Sequence, residues 1–128
     1  DAGLYDFGVL NSIMHMSWVR ITAGRLKSDY SYSNTIVYNN FPWPVNISEK
    51  NKKNIEMKAK NVLNIRSEFT DTSLADLYHK LTMPPKLVKA HKDLDKAVDL
   101  CYTSKAFKNE SERVQHLFEL YSQITING

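Results

Sequence analysis

Lys27 and Asp29, in the stretch GRLKSDYSYS at residues 24–33, set a cation and a carboxylate two positions apart. In an extended chain successive side chains alternate faces, so Arg25, Lys27, Asp29 and Ser31 point one way and Leu26, Ser28, Tyr30 and Tyr32 the other. A same-face Lys/Asp pair has two readings. It has the geometry to span one base pair in a DNA major groove, with Lys donating to guanine O6 and N7 and Asp accepting from the cytosine N4 amine. It is equally the geometry of a surface ion pair on a strand, contributing about 0–1 kcal/mol. The residues alone leave both open.

The other reactive side chains form no catalytic set. NNFPWP at residues 39–44 invites comparison with the Asn/Asp-Pro-Pro-aromatic turn that holds an exocyclic amine for methylation, but Asn40 is followed by Phe41 rather than Pro. The chain has four glycines and no glycine-rich strand-to-helix turn for S-adenosylmethionine. Phe41 and Trp43 between prolines read instead as an ordered turn packed on a core. His15, His79, His91 and His116 have no metal-ligand spacing. His91 and Asp95 fit an intrahelical pair, while Asp95 and Asp99 share a helix face but alternate with Lys92 and Lys96, which reads as a salt-bridged surface. No nucleophile has a base at readable spacing. A small enzyme in its own right would require His15, His79 or His91 to gather with aspartates around a metal.

These residues need elements to position them. Phe7, Leu10, Ile13, Met14, Met16, Trp18 and Val19 recur at near-helical spacing, predicting one helix from about Tyr5 to Gly24, where glycine suits a helix end. Tyr30 to Val37 alternates and ends on β-branched residues, and Pro42 and Pro44 forbid a continuing helix. A second helix is predicted from about Ser48 to Phe69 on the stripe Ile55, Met57, Ala59, Val62, Leu63, Ile65 and Phe69. Asp71 or Thr72 then caps a short helix ending near His79. Pro84 and Pro85 open another helix, which carries Leu87, Val88, Ala90, Leu94, Ala97, Val98 and Cys101. Asn109 with Glu112 three residues on predicts a capping box before the last helix. The fold class is therefore mainly α, a small helical bundle with a short extended segment near residues 28–38.

Length and charge bound the possibilities. With 128 residues, 42% of them hydrophobic, the chain can build one core or be part of a larger one. It starts at Asp1 and its apolar pattern begins at Leu4, which suggests a piece of something longer. No apolar run approaches the roughly 18 residues of a membrane span, so no membrane partner is expected and a cytoplasmic origin is the default. Cys101 is the only cysteine, which excludes an intrachain disulfide. The net charge is +3; residues 1–47 hold three basic and three acidic side chains, against 14 and 11 in residues 48–128. The excess is densest in EKNKKNIEMKAK at residues 49–60, either a solvated helix face or a phosphate-binding one.

SIMHMSWVRITAGRLKSDYSYSNTIVYNNFPWP, followed by SLADLYHKLTMPPKLVKAHKDLDKAVD and ERVQHLFELY, closely resembles the C-terminal region of the MmeI-like DNA methyltransferases and restriction-modification enzymes. The resemblance covers essentially the whole chain. It implies that residues 1–47 end a target recognition domain and that residues 48–128 are a helical C-terminal domain. By the same resemblance, the partners are double-stranded DNA and the remaining domains of a longer chain, which would hold S-adenosylmethionine and methylate adenine N6. The resemblance also implies that Lys27 and Asp29 match two positions that read the base pair beside the target adenine, a Lys/Asp pair selecting guanine on the methylated strand and a Glu/Arg pair cytosine. Ser31 would contact a neighbouring base, and Arg25, Tyr30 and Tyr32 the phosphates and sugars. The alternative is a helical protein-interaction module that packs on other domains or a second subunit without touching DNA.

Overall fold

The computed structural model describes residues 3–25, 41–103 and 105–127, with backbone alone at 23–25 and 124–127. Helix α1 spans Leu4–Leu10 and α2 spans Ile13–Arg25. The sequence predicts one helix here; the structure has two. The break at Asn11 and Ser12 has identifiable causes, because short polar side chains offer the backbone alternatives to the helical ladder. Asn11 Nδ2 donates to Phe7 O at 2.8 Å and Ser12 Oγ to Val9 O at 2.7 Å. The new N-terminus then finds an acceptor from far along the chain, Asp95 Oδ1, 2.8 Å from Ile13 N. The predicted extended segment near residues 28–38 lies outside the described residues, among which there is no strand.

Chain entry into the second half is set by Asn46, whose φ of 54° is a left-handed conformation that asparagine tolerates better than most residues. Helix α3 (Glu49–Arg66) follows, with Ser48 Oγ accepting from Asn51 N at 3.1 Å. Helix α4 (Leu74–Leu77) is capped by Ser73, whose Oγ accepts from Asp76 N, so the cap is neither Asp71 nor Thr72. Several polar residues in a row each satisfy the local rule, and the one three positions before a free N–H takes the role. Helix α5 (Pro85–Asp99) begins on the two prolines as predicted. Helix α6 (Glu110–Asn127) begins with Asn109 Oδ1 accepting from Glu112 N at 2.9 Å, and Glu112 Oε1 returns to Lys108 N at 2.9 Å, one residue earlier than a capping box requires.

Helix α3 packs on α1 and α5, and α2 packs on α6. Helices α3 and α5 run in opposite directions, since Leu100 lies by the first turns of α3 while Lys86 pairs with Glu68 beyond its end. Their closeness to α1 depends on small residues. A Cβ at Gly8 would stand 2.6 Å from Ile55 Cγ2 and 3.3 Å from Leu94 Cδ1. One buried cluster runs from Val9, Met14 and Trp18 through Phe41 to Ile55, Leu94 and Leu117. The stripe of α3 is narrower than its periodicity suggests. Ile55, Ala59 and Val62 are buried, but Met57 is 62% exposed and Leu63 lies at the surface; on α2, Met16 is likewise exposed.

Candidate nucleic-acid interface and its anchor

Helix α2 delivers the chain to Arg25, and Phe41 is the next described residue. Lys27, Asp29, Tyr30, Ser31 and Tyr32 lie outside the described residues, and Arg25 is described by its backbone alone as the last residue of α2. The structure therefore gives the frame on either side of the predicted reading segment.

That frame is aromatic. Phe41 is buried, with its ring edge-on to His15 at 4.8 Å and 88° and to Trp43 at 5.8 Å and 76°, while Trp18 lies 6.2 Å away. Trp18 also meets Phe118 at 5.3 Å and Tyr121 at 5.8 Å, which ties α2 to α6, and Trp43 reaches Tyr5 on α1 at 6.1 Å. Such edge-to-face pairs add about 0.5–1.5 kcal/mol each beyond their buried area. The expectation that Phe41 and Trp43 pack on a core thus holds, while Asn39 and Asn40 lie outside the described residues. The backbone between the two rings is pinned as well, because Tyr102 Oη donates to Pro42 O at 2.8 Å. Burial pushes the Tyr102 phenol far above its usual range, so the donor keeps its proton.

The exposed Arg20 of α2 pairs with Glu110 of α6 at 2.8 Å, whereas the buried polar side chains of α2 bond locally. Thr22 Oγ1 donates to Trp18 O and Ser17 Oγ to Ile13 O, both at 2.8 Å. His15 Nδ1 lies 3.0 Å from Leu10 O, and since a carbonyl only accepts, Nδ1 carries the proton. Burial lowers the His15 pKa from its ordinary value and keeps the ring neutral. Among the described residues, His15 Nε2 and Trp18 Nε1 are buried without a hydrogen-bond partner.

The aspartates of α5 differ from their predicted role. Asp95 and Asp99 share a face, but it is the inward one. Asp95 caps α2, and Asp99 accepts both Nε and Nη2 of Arg113 on α6 at 3.1 and 2.7 Å, with side chains 12% and 13% exposed. Lys92 and Lys96 lie on the outside and bond to neither. The surface pair on this helix is Lys89 with Asp93, at 3.1 Å. Nor does His91 pair with Asp95. Its Nε2 is 2.6 Å from Tyr78 Oη. Burial, then the charge of Arg66, lowers the His91 pKa, while burial raises that of Tyr78, so the tyrosine donates and the neutral ring accepts. Sequence spacing could not reveal this contact because Tyr78 and His91 lie on separate elements.

No group of three or more His, Cys, Asp or Glu side chains among the described residues is placed to hold a metal.

Two family models match the chain, the MmeI target recognition domain over residues 1–45 and the MmeI C-terminal domain over residues 47–127. A Bacillus subtilis (strain 168) protein, DNA methyltransferase A, is 44% identical over 125 residues, covering 98% of this chain and 14% of that relative. The solved structure of the Type IIL restriction-modification enzyme MmeI in complex with DNA superposes with a TM-score of 0.86 at 46% identity, covering 98% of this chain and 17% of that one. The chain thus spans less than a fifth of each relative. No helix among the described residues is long and apolar enough to cross a membrane.

Proposed function

The chain belongs to the MmeI family, matching its target recognition domain and then its C-terminal domain, and from that premise we propose that it is the DNA-recognition part of a longer adenine-N6 methyltransferase. The observation that supports this reading most directly is the match of residues 1–45 to a target recognition domain, together with the likeness to an MmeI structure that contains DNA. In this reading Lys27 and Asp29 span the G·C pair beside the target adenine, the ammonium on guanine O6 and N7 and the carboxylate on the cytosine amine. Arg25, Tyr30 and Tyr32 hold the backbone, and Ser31 faces a neighbouring base. The catalytic turn and S-adenosylmethionine belong to the remainder of the longer protein, where the adenine would leave the base stack.

The aromatic frame gives the recognition segment a fixed base. Trp18 before it and Phe41 after it meet in one cluster that α6 backs through Phe118 and Tyr121. Rigid flanks matter because a bidentate contact contributes its roughly 1–3 kcal/mol of discrimination only when the pair is held in register with the base edge.

The test is an exchange of charge. In the full-length protein, Lys27→Glu combined with Asp29→Arg should change the base read beside the methylated adenine from guanine to cytosine, as seen by mapping methylated sites in a genome. An unchanged motif with methylation retained would overturn the assignment. A second reading, docking on other domains without DNA contact, is favoured by Leu74 and Leu81, which are 55% and 87% exposed. It requires that the 128-residue chain alone show no DNA binding above a salt-screened background.

A further inference from the structure

The α3–α5 pair carries a charge pattern on its outer face that the recognition segment does not use. The two helices meet on their inner side, where Ile55 and Ala59 of α3 and Leu94 of α5 surround Gly8. On the outer side of α5, Lys89, Lys92, Asp93 and Lys96 fall within two turns, all three lysines exposed. Lys58 of α3 comes up beside them. Asp93 Oδ2 accepts from Lys89 Nζ at 3.1 Å, and the carboxyl is held below its usual range by that hydrogen bond and then by the charges of Lys89, of Lys58 on the packed helix α3, and of Lys96.

Four lysines against one carboxylate leave a local excess of three charges, equal to the formal net charge of the whole chain. Asp93 is engaged with Lys89, and Lys58, Lys92 and Lys96 form no ion pair among the described residues. A merely solvated helix face would be expected to interleave carboxylates with its lysines at i and i+4. This one has a single such pair. Lys89 and Lys96 are about 10 Å apart along the helix axis, about the axial rise of three nucleotides of one DNA strand.

We propose that the seam of Lys58, Lys89, Lys92 and Lys96 across α3 and α5 is a binding surface for the sugar-phosphate backbone of duplex DNA. The inference rests on the reading of the chain as a DNA-recognition part, and it adds a second contact that supplies affinity without sequence information. Lysine suits that division of labour. A compact point charge on a flexible stem attracts phosphate without fixing the geometry that a base edge demands.

The experiment is a salt titration of the full-length protein with duplex DNA. Replacing the four lysines by glutamine keeps helix propensity and removes charge, and an all-arginine counterpart keeps charge while changing shape. Measured between about 50 and 200 mM salt, the glutamine variant should lose about 0.9 from the slope of log affinity against log salt for each phosphate contact removed. Duplexes with and without the target motif should be affected in parallel, the methylated motif should stay the same, and the arginine variant should keep the parent slope. An unchanged slope in the glutamine variant overturns the proposal. So does an unchanged slope accompanied by loosened attachment to the other domains, which would identify an acidic protein surface as the occupant. If both variants lose affinity together with thermal stability, the seam is structural. Failure of the Lys27/Asp29 reading would appear in the methylated motif and not in the salt slope, so the two outcomes are separable.

Discussion

Asp95 has its carboxylate 2.8 Å from the Ile13 N–H and within the field of Asp99. Burial raises its pKa to about 6, the Ile13 hydrogen bond acts against that rise, and the charge of Asp99 adds to it. A folded-state value above the unfolded one means that the native protein binds this proton more readily. Asp95 therefore contributes stability that is fully present below the ordinary value of 3.8 and is lost as pH rises through about 6. Asp95→Asn keeps an oxygen for Ile13 N–H without the charge. The variant should be more stable than the parent at neutral pH by about 1 kcal/mol, a modest figure because partial exposure screens the charge, and the difference should close towards pH 4. Thermal unfolding of both proteins at a series of pH values checks this; a difference constant with pH would contradict it. His15 works in the opposite sense. Its lowered pKa means that the unfolded chain takes up the proton first, so its contribution is lost as pH falls below the ordinary value of 6.5. Comparing parent and variant cancels that background.

Gly8 and the Asp99–Arg113 pair decide how the helices meet. Gly8→Ala would normally favour a helix by about 1 kcal/mol. Here the added Cβ would stand 2.6 Å from Ile55 Cγ2, on a buried β-branched side chain that has little freedom to turn away. Overpacking of this kind costs about 1–3 kcal/mol, so the variant should melt at a lower temperature than the parent despite the better helix former. Arg113 ties α6 to the end of α5, and both side chains of the pair are nearly enclosed. Arg113→Ala leaves Asp99 buried and unpaired, and should cost about 3–5 kcal/mol in denaturant unfolding. Local pattern made most of these elements legible. The stripe of α5, the prolines that open it and the Ser48 and Asn109 caps all follow from residues within one or two turns. The α1–α2 break was not legible in the same way, because Asp95, which accepts from Ile13 N–H, is 82 positions away.

Across the whole molecule, Phe41 joins the half matched to the recognition domain to the helices that follow. It is buried between His15, Trp18 and Trp43, and the next residue is held by Tyr102. Phe41→Ala should cost about 3–5 kcal/mol, and Phe41→Leu, which refills much of the space, markedly less; chemical denaturation of the two variants checks the ratio. That Phe41 and Trp43 pack on a core was legible, since aromatics set among prolines leave the chain few alternatives. Their partners were not. Nothing in the spacing of His15, Trp18 and Phe41 states that they share a cluster, and the lone histidine among methionines gave no sign that it would be buried and neutral.

Periodicity and capping chemistry in the sequence by themselves determined a mainly helical chain, the positions of most helices and the packing of Phe41, and the order of its motifs determined the family. These signals are local, carried by residues one or two turns apart or by their linear order. Only the tertiary structure decided which polar groups go inside. It turned Asp95 and Asp99 from an apparent surface into a helix cap and a buried ion pair, gave His91 to Tyr78, and brought Lys58 of one helix beside the lysines of another. The reason is physical: a charged side chain on the flank of a helix is enclosed or exposed according to whether another element brings it a partner, and that partner is chosen by packing rather than by spacing along the chain.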